Sequence, residues 1–236
     1  VDQAREWIAQ ARSIAVLTGA GASAESGIPT FRGADGLWRN YRAEDLATPQ
    51  ALQRSPKLVW EWYLTRRQAI ARAQPNAGHK ALVELERRSH RFTLITQNVD
   101  GLHRRAGSRH LLEVHGNIWT TRCVSCGRIR EDYRTEYDEL PPRCECGGME
   151  RPGVILFGEL LDGQTWMAAE QAAADADVFL VAGTSAVVYP AAGLAQIAKA
   201  AGARVIEVNL EETALSGFAD CTLTGRCGEI LPLLLP

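Results

Sequence analysis

Ile14-Ala15-Val16-Leu17-Thr18-Gly19-Ala20-Gly21-Ala22-Ser23-Ala24-Glu25-Ser26-Gly27-Ile28-Pro29-Thr30-Phe31-Arg32 is the stretch on which the rest of the chain turns. An apolar, β-rich run enters a turn made of glycine, alanine and serine. Such a turn delivers the pyrophosphate of a dinucleotide to a helix N-terminus, because small residues let the backbone approach and N–H groups point at the anion. The match to the full glycine fingerprint is partial. Ala24 holds the third glycine position, and no acidic residue closes a second strand at the usual distance. The residues alone therefore leave two readings open, a nucleotide-binding turn and a tight strand–helix turn. Ser26 to Arg32 carries too much Gly and Pro for a smooth crossover helix, so a loop over the bound ligand is expected.

A chain of 236 residues suits one large domain or a domain with an insertion, and it can bury a substantial core. A formal net charge of −2 provides no global basic field, and direct nucleic-acid binding is not expected. There is no apolar run of about 18 residues, so no membrane span is expected. No basic-then-apolar leader precedes the first helix, which points to the cytoplasm.

Outward from the opening strand, residues 2–12 read as an amphipathic helix. Helical patterns cover residues 45–72, 76–88, 168–176 and, roughly, 190–201. Strands are expected at 91–96, 111–114, 177–182 and 204–208. Apolar strands alternating with helices indicate an α/β fold with a mainly parallel sheet covered on both faces. Most polar signals fall just past strand C-termini, where open α/β sheets bind ligands.

Residues 119–150 break this rhythm. Cys123 and Cys126 are followed, 17 residues on, by Cys144 and Cys146. Thiolates at these offsets can close a tetrahedral four-thiolate zinc site. Four protein ligands leave no open position, so the metal is expected to be structural. The segment is too short to bury its own core, and zinc would supply roughly 10–16 kcal/mol, as in small zinc peptides. Cys221 and Cys227 are unpaired by spacing and read as small buried residues.

Taken together, these features resemble the sirtuin family of NAD-dependent protein lysine deacylases, over nearly the whole chain. The resemblance rests on residues 19–32, Gln97-Asn98-Val99-Asp100-Gly101-Leu102-His103, Val114-His115-Gly116, the four paired cysteines, Val154-Ile155-Leu156-Phe157-Gly158-Glu159, Gly183-Thr184-Ser185 and Asn209. It implies a Rossmann-like NAD-binding domain from residues 1–38, 88–118 and 151–236. A small domain would combine a helical insertion, 39–87, with the zinc insertion, 119–150. NAD and an acylated lysine, carried on an extended protein segment, would meet between the domains. The products would be nicotinamide, free lysine and an O-acyl-ADP-ribose.

The same resemblance assigns candidate roles. His115 would take a proton from a ribose hydroxyl, a task suited to a group that titrates near neutrality. Asn98 and Asp100 would hold the ribose and the nicotinamide amide; ordinary turn chemistry is the simpler account of that pair. NAD contacts would come from Gly19, Ala20, Gly21, Ala22, Ser23, Glu25, Thr30, Phe31, Arg32 and Trp38. Gln97, Asn98 and Asp100 would add to them, with Gly183, Thr184, Ser185, Asn209, Leu210, Glu211 and Cys227. His103 reads as structural, and His79, His90 and His110 as surface or helix-end residues.

Tyr63 and Arg66 are three apart, which a helix places on one face. Arginine offers a fork for a carboxylate and tyrosine adds a hydroxyl. The pair resembles the class III sirtuins, which remove succinyl and malonyl groups, with deacetylation also expected. Ala43 and Ala47 would leave room for the longer chain. The simpler account is a surface arginine on an arginine-rich helix. Residues 154–159 are expected to be extended at the cleft and to pair with a substrate peptide by strand addition, with Gly153 and Gly158 favouring a ligand-facing edge. Two other classes of function remain open on sequence: NAD-dependent ADP-ribosyl transfer to protein, and a non-catalytic NAD- or nucleic-acid-binding module with a zinc ribbon.

Overall fold

The computed structural model describes residues 1–30 and 46–236. The chain opens with α1 (Asp2–Gln10), β1 (Ser13–Thr18) and a single helical turn, α2 (Gly21–Ala24). After the undescribed residues come α3 (Pro49–Arg54), α4 (Pro56–Arg72) and α5 (Ala77–Arg88). The middle of the chain holds β2 (Arg91–Thr96), α6 (Leu102–Ala106), β3 (Leu111–Glu113), β4 (Gly116–Cys123), β5 (Ile129–Glu131) and β6 (Glu150–Val154). It closes with α7 (Gly163–Ala174), β7 (Val178–Ala182), a 3₁₀ turn at Ala191–Gly193, α8 (Leu194–Ala200), β8 (Arg204–Asn209), β9 (Cys221–Thr224) and α9 (Cys227–Leu233).

Six strands form one parallel sheet in the order β3-β2-β1-β7-β8-β9. From β1 the chain first builds one half of the sheet and later the other. The crevice between β1 and β7 is thus the point where strand order reverses, the place where such sheets take a dinucleotide. The strands are nearly continuous apolar runs because both faces are buried. Ile14 and Val16 pack with α1, α5 and α9, while Ala15 and Leu17 pack with α7 and α8. Among the described residues, no helix is long and apolar enough to cross a membrane.

A second layer supplies the small domain. Strands β5-β4-β6 form an antiparallel sheet carrying the cysteine-bearing segment. Ile118, Trp119, Val154 and Leu156 share a core with Leu46, Ala51, Leu52, Val59, Tyr63 and Ile70 from the helical segment. Both insertions therefore bury apolar surface against each other.

Three expectations change. The helical pattern of residues 45–72 is two helices, because Pro56 starts a new helix at its N-terminal position and Ser55 leaves helical geometry. The helix expected over roughly 190–201 begins as a 3₁₀ turn and becomes α-helical at Leu194. Helix α5, placed by sequence in the helical insertion, instead sends Ala81, Leu82 and Leu85 into the core of the large sheet. Its amphipathic face fits β1 and β2, so the large domain resumes before 88, at the Asn76 cap of α5.

The two loops at the crevice interlock. Gly21 N donates to Gly183 O at 2.8 Å, and Gly19 N donates to Ala182 O at 3.2 Å. Gly183 has φ of 62°, and a Cβ there would lie 2.3 Å from Ala22 N. Only glycine meets both demands. Gly183→Ala is expected to destabilise the protein by about 1–3 kcal/mol or more and to lower its melting temperature, since it adds strain and a clash with backbone. A melting curve unchanged from the parent would show that the loops can separate freely.

Candidate active site

The C-terminal ends of β1, β2, β7 and β8 bring four polar segments to one edge of the sheet. Gln97 follows β2, and its Nε2 donates to Thr184 Oγ1 at 3.0 Å, beyond β7. Asn209 ends β8, and its Nδ2 donates to the Thr184 carbonyl at 3.2 Å. Thr184 is therefore the junction of three strand ends, and its buried hydroxyl is held by a neighbour on the sheet. Ser185, Leu210 and Glu211 beside it are exposed. Alanine and glycine at 19–22 let the backbone sit low against this junction, which is the cradle a pyrophosphate requires. Helix α2 contributes one turn only, so backbone proximity rather than a long helix dipole characterises the cradle.

Beneath it lies a buried polar network. Ser23 Oγ donates to Asp100 Oδ2 at 2.7 Å and accepts from Asn98 Nδ2 at 3.2 Å. Asn98 Nδ2 also donates to Gly19 O at 2.9 Å, tying the β2 loop to the glycine turn. Asp100 Oδ1 accepts from Leu102 N at 2.8 Å, and the Asp100 carbonyl accepts from Trp119 Nε1 at 2.9 Å. Burial pushes the Asp100 carboxyl up, against the lowering effect of those hydrogen bonds and of Arg66.

His79 is a helix-end residue, one of the two alternatives read from sequence, and it is not at the surface: it is 1% exposed, with Nε2 3.4 Å from Ser23 Oγ. Its Nδ1 accepts from Asn76 N at 3.3 Å, the reciprocal half of a capping box in which Asn76 Oδ1 accepts from His79 N. That backbone donor leaves the proton on Nε2, directed at Ser23. Burial depresses the His79 pKa to about 4, so the ring is neutral at pH 7. His103 is buried as expected, with its ring 4.7 Å from that of His79 and Nε2 2.9 Å from Thr18 Oγ1. The Asn at 76, three residues ahead of His79 and opening an apolar-periodic helix, was the signal in the sequence for this cap. His90 and His110 are exposed, as read.

His115 stands at the end of β3, half-buried. Its Nδ1 lies 3.2 Å from the Gln97 carbonyl. A carbonyl can only accept, so the proton sits on Nδ1 and Nε2 keeps its lone pair. Burial lowers the His115 pKa below the ordinary imidazole value, partly offset by the Gln97 contact. The arrangement is that of a neutral base aimed by its own backbone neighbourhood.

Tyr63 and Arg66 are both buried on α4. Arg66 lies over the Trp62 ring at 4.9 Å and the Tyr63 ring at 5.6 Å. Burial raises the Tyr63 pKa to about 12, against the opposing charges of Arg66 and Arg151. Burial lowers that of Arg66, while Tyr63 and the carboxylate of Asp100 oppose the shift. Arg66 is 8% exposed, which excludes the simpler surface-arginine account. Ala47 is buried, and its carbonyl accepts from Phe157 N at 2.8 Å. Phe31, Arg32, Trp38 and Ala43 lie outside the described residues. Thr30 is described and half-buried.

The other candidates fall as follows. Glu25 Oε2 accepts from Gly228 N at 2.7 Å, so its carboxylate covers the start of α9. Cys227 is buried beneath it, and burial raises its thiol pKa to about 12, which suits a contact residue and not a nucleophile. Of residues 154–159 only Val154 lies in a strand, and Gly158 turns the chain. Gly153 is not ligand-facing, because a Cβ there would lie 1.9 Å from Thr120 Oγ1 across the β4–β6 pair.

Cys123, Cys126, Cys144 and Cys146 bring their sulfurs within 4.8 Å of one another. The Cys123–Cys146 and Cys126–Cys144 separations are 3.5 and 3.8 Å. Tetrahedral zinc with bonds of about 2.3 Å needs sulfurs about 3.8 Å apart, so the donor set and spacing fit zinc with no position left for substrate. Ser125 N and Cys126 N donate to Cys123 Sγ at 3.4 and 3.5 Å, an environment that favours thiolate.

Comparison with known proteins agrees with this geometry. The model of the Sir2 family matches residues 19–190. The NAD-dependent protein deacylase of Aquifex aeolicus is 59% identical over 209 residues, covering 88% of this chain and 87% of that protein. The crystal structure of a Sir2 homologue–NAD complex superposes with a TM-score of 0.94 at 47% identity, over 99% of this chain and 92% of that one. A Sir2–p53 peptide–NAD⁺ structure superposes with a TM-score of 0.88 at 30% identity, over 97% and 94% of the two chains.

Two outcomes follow from the geometry. Were His115 the base that the sequence leads one to expect, it would have to be neutral to act, so activity would be full above its lowered pKa and lost as pH falls through it. The acid limb of kcat/KM should lie below about pH 6.5, and His115→Ala should cost about 10²–10⁴ in kcat with NAD binding retained. Cys144→Ser should lose bound metal and lower the melting temperature, with activity lost as a consequence; metal analysis of the purified variant at full zinc content and full activity would contradict that.

Proposed function

The chain belongs to the Sir2 family and is an NAD-dependent protein deacylase, and we propose that Tyr63 and Arg66 extend its acyl range to succinyl- and malonyl-lysine alongside acetyl-lysine. The observation that carries the acyl assignment is a buried guanidinium 5.6 Å from the centroid of the equally buried Tyr63 ring. A buried arginine fork is suited to a carboxylate on the acyl chain.

Bound NAD would supply the electrophilic ribose: the bond to nicotinamide would break, a ribose hydroxyl would take up the acyl group, and one water would be consumed, so that nicotinamide, free lysine and an O-acyl-ADP-ribose are released. The chain's residues divide the remaining work. The 19–23 turn and Thr184 seat the phosphates, and Asn209 reaches the far ribose. Asn98 and Asp100, braced by Ser23, orient the nicotinamide ribose and amide. His115 Nε2 accepts a proton from a ribose hydroxyl. The zinc-ligating cysteines take no part beyond holding the small domain together. The helical and zinc insertions act as the second wall of the cleft.

The protein substrate binds as an extended segment against residues 154–157. Ile155 N already donates to His115 O at 2.9 Å, and Leu156 N donates to Glu159 Oε2 at 2.8 Å. An added strand therefore replaces the Glu159 contact or pairs through carbonyls. ADP-ribosyl transfer to protein shares the bond broken in NAD, and no observation here favours it.

Arg66→Met tests the acyl assignment. Truncating one partner of a buried charge pair costs about 2–5 kcal/mol, or roughly 30- to 5000-fold, and only the charged acyl chains make that pair. kcat/KM on succinyl peptide should fall by that factor while the matched acetyl peptide is nearly unaffected. Tyr63→Phe should act in the same direction by about 1 kcal/mol. Equal losses on both peptides would remove the carboxylate from the reading.

A further inference from the structure

Arg67, the next residue along α4, is fully buried and turned toward the zinc-bearing sheet. Its Nε donates to Ile118 O at 2.8 Å and its Nη2 to Thr120 O at 3.4 Å, both on β4. Its Nη1 donates to Arg134 O at 2.9 Å and to Tyr137 Oη at 3.0 Å. Asp132 Oδ1 lies 3.8 Å away and is itself buried. The guanidinium lies 5.5 Å from the centroid of the Trp60 ring and 5.7 Å from that of Trp119. Trp119 in turn donates to the Asp100 carbonyl.

These contacts do not resemble a general packing role. One rigid fork is held by acceptors on β4 and on the 132–137 loop, from two different directions. A roll or slide of α4 would break several of them together and leave buried carbonyls unpaired, which is costly. Successive helix residues are about 100° apart, so a helix clamped at Arg67 has the azimuth of its neighbour set as well. Tyr63 and Arg66 share that helix.

We infer that Arg67 is a positioning residue for acyl selectivity: the zinc module grips its guanidinium, and through α4 that grip sets where Tyr63 and Arg66 stand in the cleft. The inference rests on the reading that Tyr63 and Arg66 hold an acyl carboxylate. It gives the zinc module a part in choosing the acyl group, distinct from its part in stability. A purely stabilising Arg67 would lower activity on every substrate alike.

The test compares Arg67→Lys and Tyr137→Phe with Arg66→Met. Lysine keeps the charge but cannot reach the several carbonyls that a fork satisfies. Tyr137→Phe removes only the hydroxyl that accepts from Arg67 and donates to Asp132 at 2.9 Å. Zinc content, KM for NAD, and kcat and KM on matched succinyl and acetyl peptides are read for each. In Arg67→Lys the succinyl-to-acetyl ratio of kcat/KM should fall by about tenfold or more, through KM for the succinyl peptide, with zinc content and KM for NAD unchanged. Tyr137→Phe should move the ratio the same way by about threefold to fivefold, and it carries the test alone if Arg67→Lys does not fold. A ratio left intact in both, while Arg66→Met collapses it, overturns this inference alone. Arg66→Met leaving the ratio unchanged overturns the carboxylate reading and this inference with it.

Discussion

The contact between the 19–23 turn and the 183–184 loop is the constraint on which the rest depends. Gly21 and Gly183 meet backbone to backbone at the crevice between β1 and β7, at a distance no side chain could share. Because the loops touch there, Thr184 comes within reach of Gln97 and Asn209, and the ends of three strands lock into one surface. Asn98 then ties the β2 loop to Gly19. The site is therefore a property of the sheet edge, and each loop is rigid because its neighbours are.

Below that surface lies a buried polar network. Ser23, Asn98 and Asp100 satisfy one another, and His79 completes the set from α5. Both buried histidines are held neutral by burial, His103 more strongly because His79 is beside it. A network in which each hydroxyl donates in one direction and accepts from another admits few alternative arrangements. It orders the floor of the site before any ligand arrives, which is what orientation of a ribose and an amide requires.

The small domain solves a different problem. It is too small to rely on apolar burial, and it combines four thiolates with a charged interior. Asp132 is buried, yet hydrogen bonds from Arg134 and Tyr137 outweigh burial and pull its carboxyl down to about 2. Arg67 plugs the same cluster from the helical insertion. Its guanidinium makes four hydrogen bonds there, and breaking such a buried cluster costs more than the cluster adds to stability.

The sequence by itself determined the parallel sheet, the small-residue turn after β1 and the four-cysteine set. Those are written in local patterns: apolar runs, small residues at a turn, and thiols at metal-ligand spacing. Tyr63 and Arg66 were legible as a pair because helical spacing is local too. What only the tertiary structure decided are the partners brought from far along the chain. His79 read only as a surface or helix-end residue until Ser23 arrived from 56 positions away. Arg67 was one of several arginines until Ile118, Thr120 and Arg134 closed around it. Gly153 looked like a ligand edge until Thr120 took its space. A periodic pattern records which face of an element is buried, whereas the identity of a polar group's partner depends on where the other elements land, and no local pattern encodes that.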